Sequence, residues 1–160
     1  MRSMRSALVW KHQRGKGVVL IEAEALVLMD NFRQNTAEKP ESGGILLGYR
    51  RGPHLHVTAA TAPQAADRSS RYLFQRSSSH HQEIAIQQWN ASGGTMDYLG
   101  EWHTHPQQKP SPSTIDLNEW IKLSGKKNFP LVFVIMGWTG DIWVGFSDDR
   151  KIHPCNLIYS

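Results

Sequence analysis

The spacing of hydrophobic positions along the chain predicts three helices. In the first, apolar residues recur at i, i+3, i+4 and i+7 over 25–32, and the helix ends before Pro40 because the residue ahead of a proline avoids helical dihedral angles. The second helix begins at Ser78 or Ser79 and ends near the Ser-Gly-Gly that follows it. Its apolar face would consist of Ala85, Ile86 and Trp89. The third helix spans 113–123.

Runs of β-prone residues separate these helices. The predicted strands are 18–21, 43–48, 54–58, 97–102, 131–136, 141–146 and 152–159. The run 131–136 is apolar throughout, which is typical of a central strand covered on both faces, whereas 152–159 is predicted to be an edge strand. This order of elements predicts an α/β fold in which a mixed sheet packs with about three helices. No linker divides the chain, so we expect one domain over residues 1–160.

Composition and charge narrow the class of protein. Hydrophobic residues make up 39% and charged residues 20% of the chain, as in a globular protein. No apolar run approaches the roughly 20 residues that cross a bilayer, and the apolar stretch near the N-terminus is too short for a signal peptide. The single cysteine, Cys155, excludes an internal disulfide. We therefore expect a cytoplasmic protein with no membrane partner.

A candidate metal site is indicated by His103-x-His105 and Asp116. Two histidines at i and i+2 of an extended segment project to the same side, so both imidazoles can reach one ion. Ser113 and Asp116 have the spacing of a capping box, which puts the carboxylate in the first turn of the third helix. Two histidines and one carboxylate leave a fourth position open, as a catalytic zinc requires.

The same bare pattern occurs a second time. His54-x-His56 is followed by Asp67 at the same distance as Asp116 follows His105, so the spacing alone does not identify the metal site. The context differs, because Pro63 interrupts any helix that would present Asp67. We interpret His54 and His56 as the solvent face of a hairpin strand.

The motif residues resemble those of a known enzyme family. Residues 100–106 read Gly-Glu-Trp-His-Thr-His-Pro, 112–116 read Pro-Ser-Thr-Ile-Asp, and 41–48 read Glu-Ser-Gly-Gly-Ile-Leu-Leu-Gly. In this order they resemble the JAMM motif of the JAB1/MPN-type zinc metallopeptidases, over roughly residues 18–146. The resemblance implies a single JAB1/MPN-type domain with a mixed, curved sheet and a cytidine-deaminase-like architecture.

The resemblance also implies a role for each motif residue. His103, His105 and Asp116 would bind one Zn²⁺ per chain. Glu41 would take a proton from the attacking water and pass it to the leaving amine, and Ser113 would hydrogen-bond the oxyanion. The alternatives are a solvated loop carboxylate for Glu41 and a plain helix cap for Ser113.

The stretch 92–106 is similar to the bacterial JAB-domain proteases of CBASS anti-phage operons. The implied partners are an E1/E2-like ligase system and the C-terminal tail of a conjugated ubiquitin-like protein or of a cGAS-like nucleotidyltransferase (CD-NTase). The implied activity is hydrolysis of the bond after that C-terminus. Two alternatives stay open: a processing peptidase for a sulfur-carrier protein, and a non-catalytic scaffold or nucleic-acid-binding module.

Four further residues are candidates for substrate binding. Arg71, Tyr72 and Phe74 lie in the polar segment 63–79, beside which an extended substrate tail could pair as an added strand. Basic and aromatic residues here also permit nucleic-acid binding, which we regard as the weaker interpretation. Trp102, next to His103, is expected to form part of the cleft wall.

Overall fold

This computed structural model describes residues 6–13, 15–64, 68–69, 74–75, 78–127 and 129–159. The described residues contain ten strands and three helices. The strands are β1 (Leu8–His12), β2 (Val18–Ile21), β3 (Gly43–Arg51), β4 (His54–Ala60), β5 (Arg68–Ser69), β6 (Phe74–Gln75), β7 (Asp97–Thr104), β8 (Val132–Met136), β9 (Ile142–Asp148) and β10 (Lys151–Tyr159). The helices are α1 (Ala23–Asp30), α2 (Ser78–Ala91) and α3 (Thr114–Gly125). No helix within these ranges is long and apolar enough to span a membrane.

Eight of the strands close into a barrel in the order β1-β10-β9-β8-β7-β3-β4-β2, and β5 pairs with β6 in a separate two-stranded sheet. The β2–β4 and β7–β8 pairs are parallel and the other barrel pairs are antiparallel, so the predicted mixed sheet with three helices is confirmed. The prediction that 152–159 forms an edge strand is wrong. β10 is bonded to β9 on one side and to β1 on the other, and β1 was not predicted from the sequence.

β8 separates two layers of the hydrophobic core. Val132, Val134 and Met136 belong to the cluster that fills the barrel together with α1, whereas Phe133 and Ile135 face the opposite way, toward Trp120 of α3. Every residue of β8 is buried. The prediction of a central strand covered on both faces is therefore confirmed, and α3 is the cover on the outer side.

The prediction that Ile86 and Trp89 form a packed apolar face of α2 is wrong. Ile86 is 53% exposed and Trp89 is 46% exposed, so this part of the helix projects from the barrel. α2 is anchored near its start instead, where the buried His81 forms a hydrogen bond of 2.7 Å between its Nδ1 and the hydroxyl of Thr61 on the segment after β4. Hydrophobic spacing indicates a helix, but it does not determine whether a partner covers the apolar side.

A bulge in β7 depends on Gly100. The register between β3 and β7 shifts after the pair Leu46 and Gly100, and Gly100 has a φ of 154°. A Cβ at this position would lie 1.7 Å from the carbonyl oxygen of Val132 on the neighbouring strand. Only glycine allows β7 and β8 to approach so closely.

We predict that Gly100→Ala lowers the free energy of unfolding by more than about 1 kcal/mol, because its backbone conformation and the contact with Val132 are both incompatible with a methyl group. Chemical denaturation would measure this change. Gly125→Ala is the matched control: Gly125 is the last residue of α3 and a Cβ there meets no atom within 4 Å. That control should be neutral or stabilising by up to about 1 kcal/mol. Equal effects of the two substitutions would contradict the assigned role of Gly100.

Candidate active site

The site forms where the start of β3 meets the end of β7. These strands are antiparallel, with Gly43 opposite His103. Next to this pair, the amide of Thr104 donates to the carbonyl of Ser42, the residue just before β3, over 2.9 Å. The pairing brings the next residue, Glu41, to His105, and their Oε1 and Nε2 atoms are 3.4 Å apart. A residue far upstream in the sequence thus reaches the histidine pair.

Two histidines and one aspartate converge on a single point. The Nε2 atoms of His103 and His105 are 3.0 Å apart, and they lie 3.4 and 3.1 Å from Oδ2 of Asp116. His103 of β7 and His105, which directly follows β7, direct their imidazoles to the same side, and the first turn of α3 contributes the carboxylate. Among the residues that the structure describes, this is the one group of three or more histidine, cysteine or acidic side chains arranged to hold a metal ion.

The N-terminus of α3 fixes the carboxylate through the predicted capping box, which is confirmed. The Ser113 hydroxyl accepts a hydrogen bond from the Asp116 amide at 3.0 Å, and the Ser113 amide donates to Asp116 Oδ2 at 2.8 Å. The Ser113 side chain is exposed, and it accepts rather than donates in the box. Its hydroxyl proton is therefore available to a group outside the helix.

The donor set fits a zinc ion. Zinc binds imidazole nitrogen and carboxylate oxygen at about 2.0–2.2 Å, so tetrahedral ligands lie roughly 3.3–3.5 Å apart, close to the separations among His103, His105 and Asp116. The other ring nitrogen of His105, Nδ1, lies 3.1 Å from Oε1 of Gln107. With an ion bound, a hydrogen bond donated by Nδ1 to this oxygen would leave the Nε2 lone pair directed at the ion, as is usual for histidine ligands.

Burial and mutual charge determine the ionisation of this cluster. Burial raises the pKa of Glu41 to about 7, against the opposing effect of His105 and with a small addition from Asp116. Burial alone would also raise the pKa of Asp116, but hydrogen bonds from His103 and His105 outweigh it and hold that pKa well below its usual range. For His105, burial lowers the pKa, and the hydrogen bond and charge of Asp116 raise it overall. A carboxyl group with a pKa near neutrality can both accept and donate a proton.

The second H-x-H lies apart from this cluster. His54 is exposed and its Nδ1 accepts a hydrogen bond from the Val18 amide, while His56 Nε2 lies 2.7 Å from Oε1 of Glu22. Leu55 and Val57 are buried on the opposite face, so the interpretation of a hairpin strand is confirmed. Asp67 lies outside the described residues.

The expectation for Trp102 is corrected. Its side chain is 1% exposed and belongs to the barrel core, with the indole Nε1 donating to the Thr61 carbonyl at 3.0 Å. A strand directs neighbouring side chains to opposite faces, so the position next to His103 points away from the site. Arg71 and Tyr72 lie outside the described residues, and Phe74 is located only as part of β6.

Two residues that support the site were not identified from the sequence. Gln107 contacts His105, and its side-chain oxygen also accepts from the Ser111 amide. Trp120 packs its ring 5.7 Å from that of His103 and stacks on Phe133. A polar residue two positions after a histidine is a weak signal, and a tryptophan in a helix predicts core packing rather than contact with a particular histidine. The thiol of Cys155 is half-buried, and burial raises its pKa to about 12.

Comparison with known proteins identifies similar sequences. A family model described as prokaryotic homologs of the JAB domain matches residues 28–146. A CD-NTase/cGAS isopeptidase of Pseudomonas aeruginosa is 44% identical over 114 residues, which are 68% of this chain and 72% of that protein. Proteins of the same name from Escherichia coli and Vibrio cholerae are 38% and 35% identical, over 79% and 84% of this chain and 80% and 85% of their own lengths.

Comparison with solved structures identifies a similar fold. The solution structure of a protein from Desulfitobacterium hafniense matches with a TM-score of 0.58 over 84% of this chain and 85% of that one. The two sequences are 17% identical, so this likeness concerns the fold alone.

We predict that the purified chain binds about one zinc ion, and that His103→Ala or His105→Ala loses most of it, because each substitution removes one of three ligands. Asp116→Asn should also weaken binding. Elemental analysis after gel filtration would measure the stoichiometry. His54→Ala and His56→Ala are the matched controls and should retain full zinc. Zinc loss in these controls, with retention in the His103 and His105 variants, would contradict the assignment and place the metal at His54 and His56.

Proposed function

The chain belongs to the family of prokaryotic homologs of the JAB domain, and from this membership we propose that it is a zinc-dependent isopeptidase that deconjugates a CD-NTase. The observation that carries the proposal is the convergence of Glu41 with His103, His105 and the half-buried Asp116 in one cluster. The substrate class is supported by the relatives named CD-NTase/cGAS isopeptidase, which are 35–44% identical to this chain.

The proposed reaction is hydrolysis of an amide bond between a C-terminal carboxyl group and a lysine amine. A zinc ion held by His103, His105 and Asp116 would polarise the scissile carbonyl and make water a stronger nucleophile. Glu41 accepts one proton from the attacking water as oxygen adds to the carbonyl carbon. It then donates that proton to the lysine nitrogen as the carbon–nitrogen bond breaks. The products are a C-terminal carboxylic acid, which loses its remaining proton to solvent at neutral pH, and a free amine.

Ser113 is proposed to stabilise the negative charge that develops on the carbonyl oxygen. Its hydroxyl accepts from the Asp116 amide, so its own proton can be donated to the oxyanion. The N-terminus of α3 adds to this effect, because the positive end of the helix dipole favours negative charge there. Capping the helix and binding the oxyanion are compatible roles for one hydroxyl.

The proposed biological context is CBASS anti-phage defence. There, an E1/E2-like ligase system would join the CD-NTase through its C-terminus to a target, and this chain would reverse that step. A ubiquitin-like protein with a similar C-terminal tail would be an equivalent substrate for the same chemistry.

The experiment that tests this proposal uses the zinc-loaded chain and a CD-NTase whose C-terminus is joined to a lysine side chain through an isopeptide bond. Release of the intact CD-NTase would be followed by gel electrophoresis and by mass spectrometry of the new C-terminus. A chelator should abolish the release and added zinc should restore it. No cleavage by the zinc-loaded chain, or cleavage that survives chelation, would overturn the proposal.

We predict that Glu41→Gln lowers the rate of this cleavage by about 10²–10⁴-fold or more, because the amide keeps the shape of the side chain but cannot take a proton. Glu41 is proposed to contact the attacking water and not the ion, so zinc content and melting temperature should stay near wild type. Single-turnover kinetics and elemental analysis on one preparation would measure both. Cleavage at a near wild-type rate would contradict the role of Glu41.

Ser113→Ala should lower kcat by roughly 10²–10³-fold if the hydroxyl stabilises the oxyanion. The substitution also removes a helix cap, which costs about 1 kcal/mol of stability. Ser113→Asp separates the two roles, because aspartate caps helices well but has no proton to donate at neutral pH. We expect this variant to recover the melting temperature and not the activity. Recovery of both would assign Ser113 to capping alone.

A further inference from the structure

We propose that Thr104 and Gln34 are positioning residues that hold Glu41 at the active site. This inference rests on the proposed function, since it concerns the residue that moves the proton. Thr104 is the middle residue of the His103-x-His105 segment, and Gln34 lies in the connection between α1 and β3. Neither residue was assigned a role from the sequence.

A continuous chain of hydrogen bonds links these residues to the backbone beside Glu41. The Thr104 hydroxyl accepts from the Ser42 amide at 3.0 Å and donates to Gln34 Oε1 at 3.0 Å. Gln34 Nε2 in turn donates to the Lys39 carbonyl at 3.2 Å. The segment that leads into Glu41 is thus held at Lys39 and at Ser42, on both sides of the carboxylate.

The pairing of Ser42 with Thr104 is unusual for a sheet. The Thr104 amide donates to the Ser42 carbonyl, as in an ordinary ladder, but the Ser42 amide bonds to a side-chain hydroxyl of Thr104. The hydroxyl therefore determines where the backbone next to Glu41 lies. Thr104 is 0% exposed and Gln34 is 1% exposed, so water does not readily replace these bonds.

The short segment 103–105, at the end of β7, serves both halves of the site. His103 and His105 point to the metal side, and strand alternation turns the Thr104 side chain to the other face, toward Ser42 and Gln34. Because the Thr104 hydroxyl holds Ser42, it opposes a shift of Glu41 relative to His105. Misplacement of a reacting group by about 1 Å can cost roughly 10²-fold in rate, so a positioning residue affects catalysis without touching substrate.

The first test is the isosteric Thr104→Val, assayed well below its melting temperature with zinc content confirmed. We expect kcat to fall by about 10–10²-fold with little change in KM, because ligands and substrate contacts stay in place while Glu41 is released. Thr104→Ser keeps the hydroxyl and should retain most of the activity. Gln34→Leu should change kcat in the same direction, which covers the case that Thr104→Val does not fold. Wild-type kcat in Thr104→Val or in folded Gln34→Leu would overturn the proposal.

A double-mutant comparison separates positioning from general damage. If Thr104 acts through Glu41, the Thr104→Val effect should disappear when Glu41 is already glutamine. A full additional loss in the Glu41→Gln background would overturn the proposal. Thr58→Val is the matched control, because the Thr58 hydroxyl on β4 is buried and makes no hydrogen bond with the described residues. This control should keep wild-type kcat in both backgrounds.

Amide hydrogen exchange tests the positioning without any activity assay. In Thr104→Val the Ser42 amide should exchange about tenfold faster or more, since it loses its acceptor, while amides in the middle of β3 keep their protection. Unchanged exchange at Ser42 would overturn the role of Thr104. If the wild type cleaves no isopeptide bond but Ser42 responds as expected, the proposed function fails and the structural role of Thr104 stands.

Discussion

The candidate site depends on the antiparallel pairing of the first residues of β3 with the last residues of β7. That pairing is required because the proton-transfer candidate, Glu41, and the two histidines come from distant parts of the sequence, and only strand register brings them together. α3 then needs to supply one carboxylate, which its capping box holds at the meeting point. A register shift of one residue would turn the histidines to the opposite face and separate them from Asp116.

Concentrating two imidazoles and two carboxylates in a buried place opposes folding, because each group loses hydration. The structure offsets this cost with directed contacts: the Ser113 amide and both histidines surround Asp116, and Gln107 bonds the far side of His105. The ring of Trp120 supports His103 from the outer core layer. These contacts hold the groups near one another, in an arrangement that could take an ion with little rearrangement. Stability elsewhere comes from apolar burial in the barrel and against α3.

Features with a local cause could be predicted from the sequence, and those that depend on distant partners could not. The capping box and the strand β8, which is covered on both faces, each depend on a few consecutive residues, and both predictions are confirmed. Trp89 was predicted to lie on a packed face but is exposed, and Trp102 was predicted to line the cleft but is buried. The exposure of each depends on what packs nearby. Spacing indicated the candidate metal ligands and the resemblance named Glu41, and the structure brings these four residues together. Gln34 carries no sequence signal, because its partner Thr104 is remote in the chain.

The barrel is closed by β1 and β10, the first and last strands of the fold. Contacts between residues so far apart in sequence form only after a large loss of chain entropy, and such contacts slow folding. The hairpins β3–β4 and β8–β9 require the closure of short loops only. The seam between β1 and β10 is therefore expected to form late in folding. Until it does, the growing sheet keeps two free edges, and intermediates at this stage are the ones most exposed to pairing with other chains.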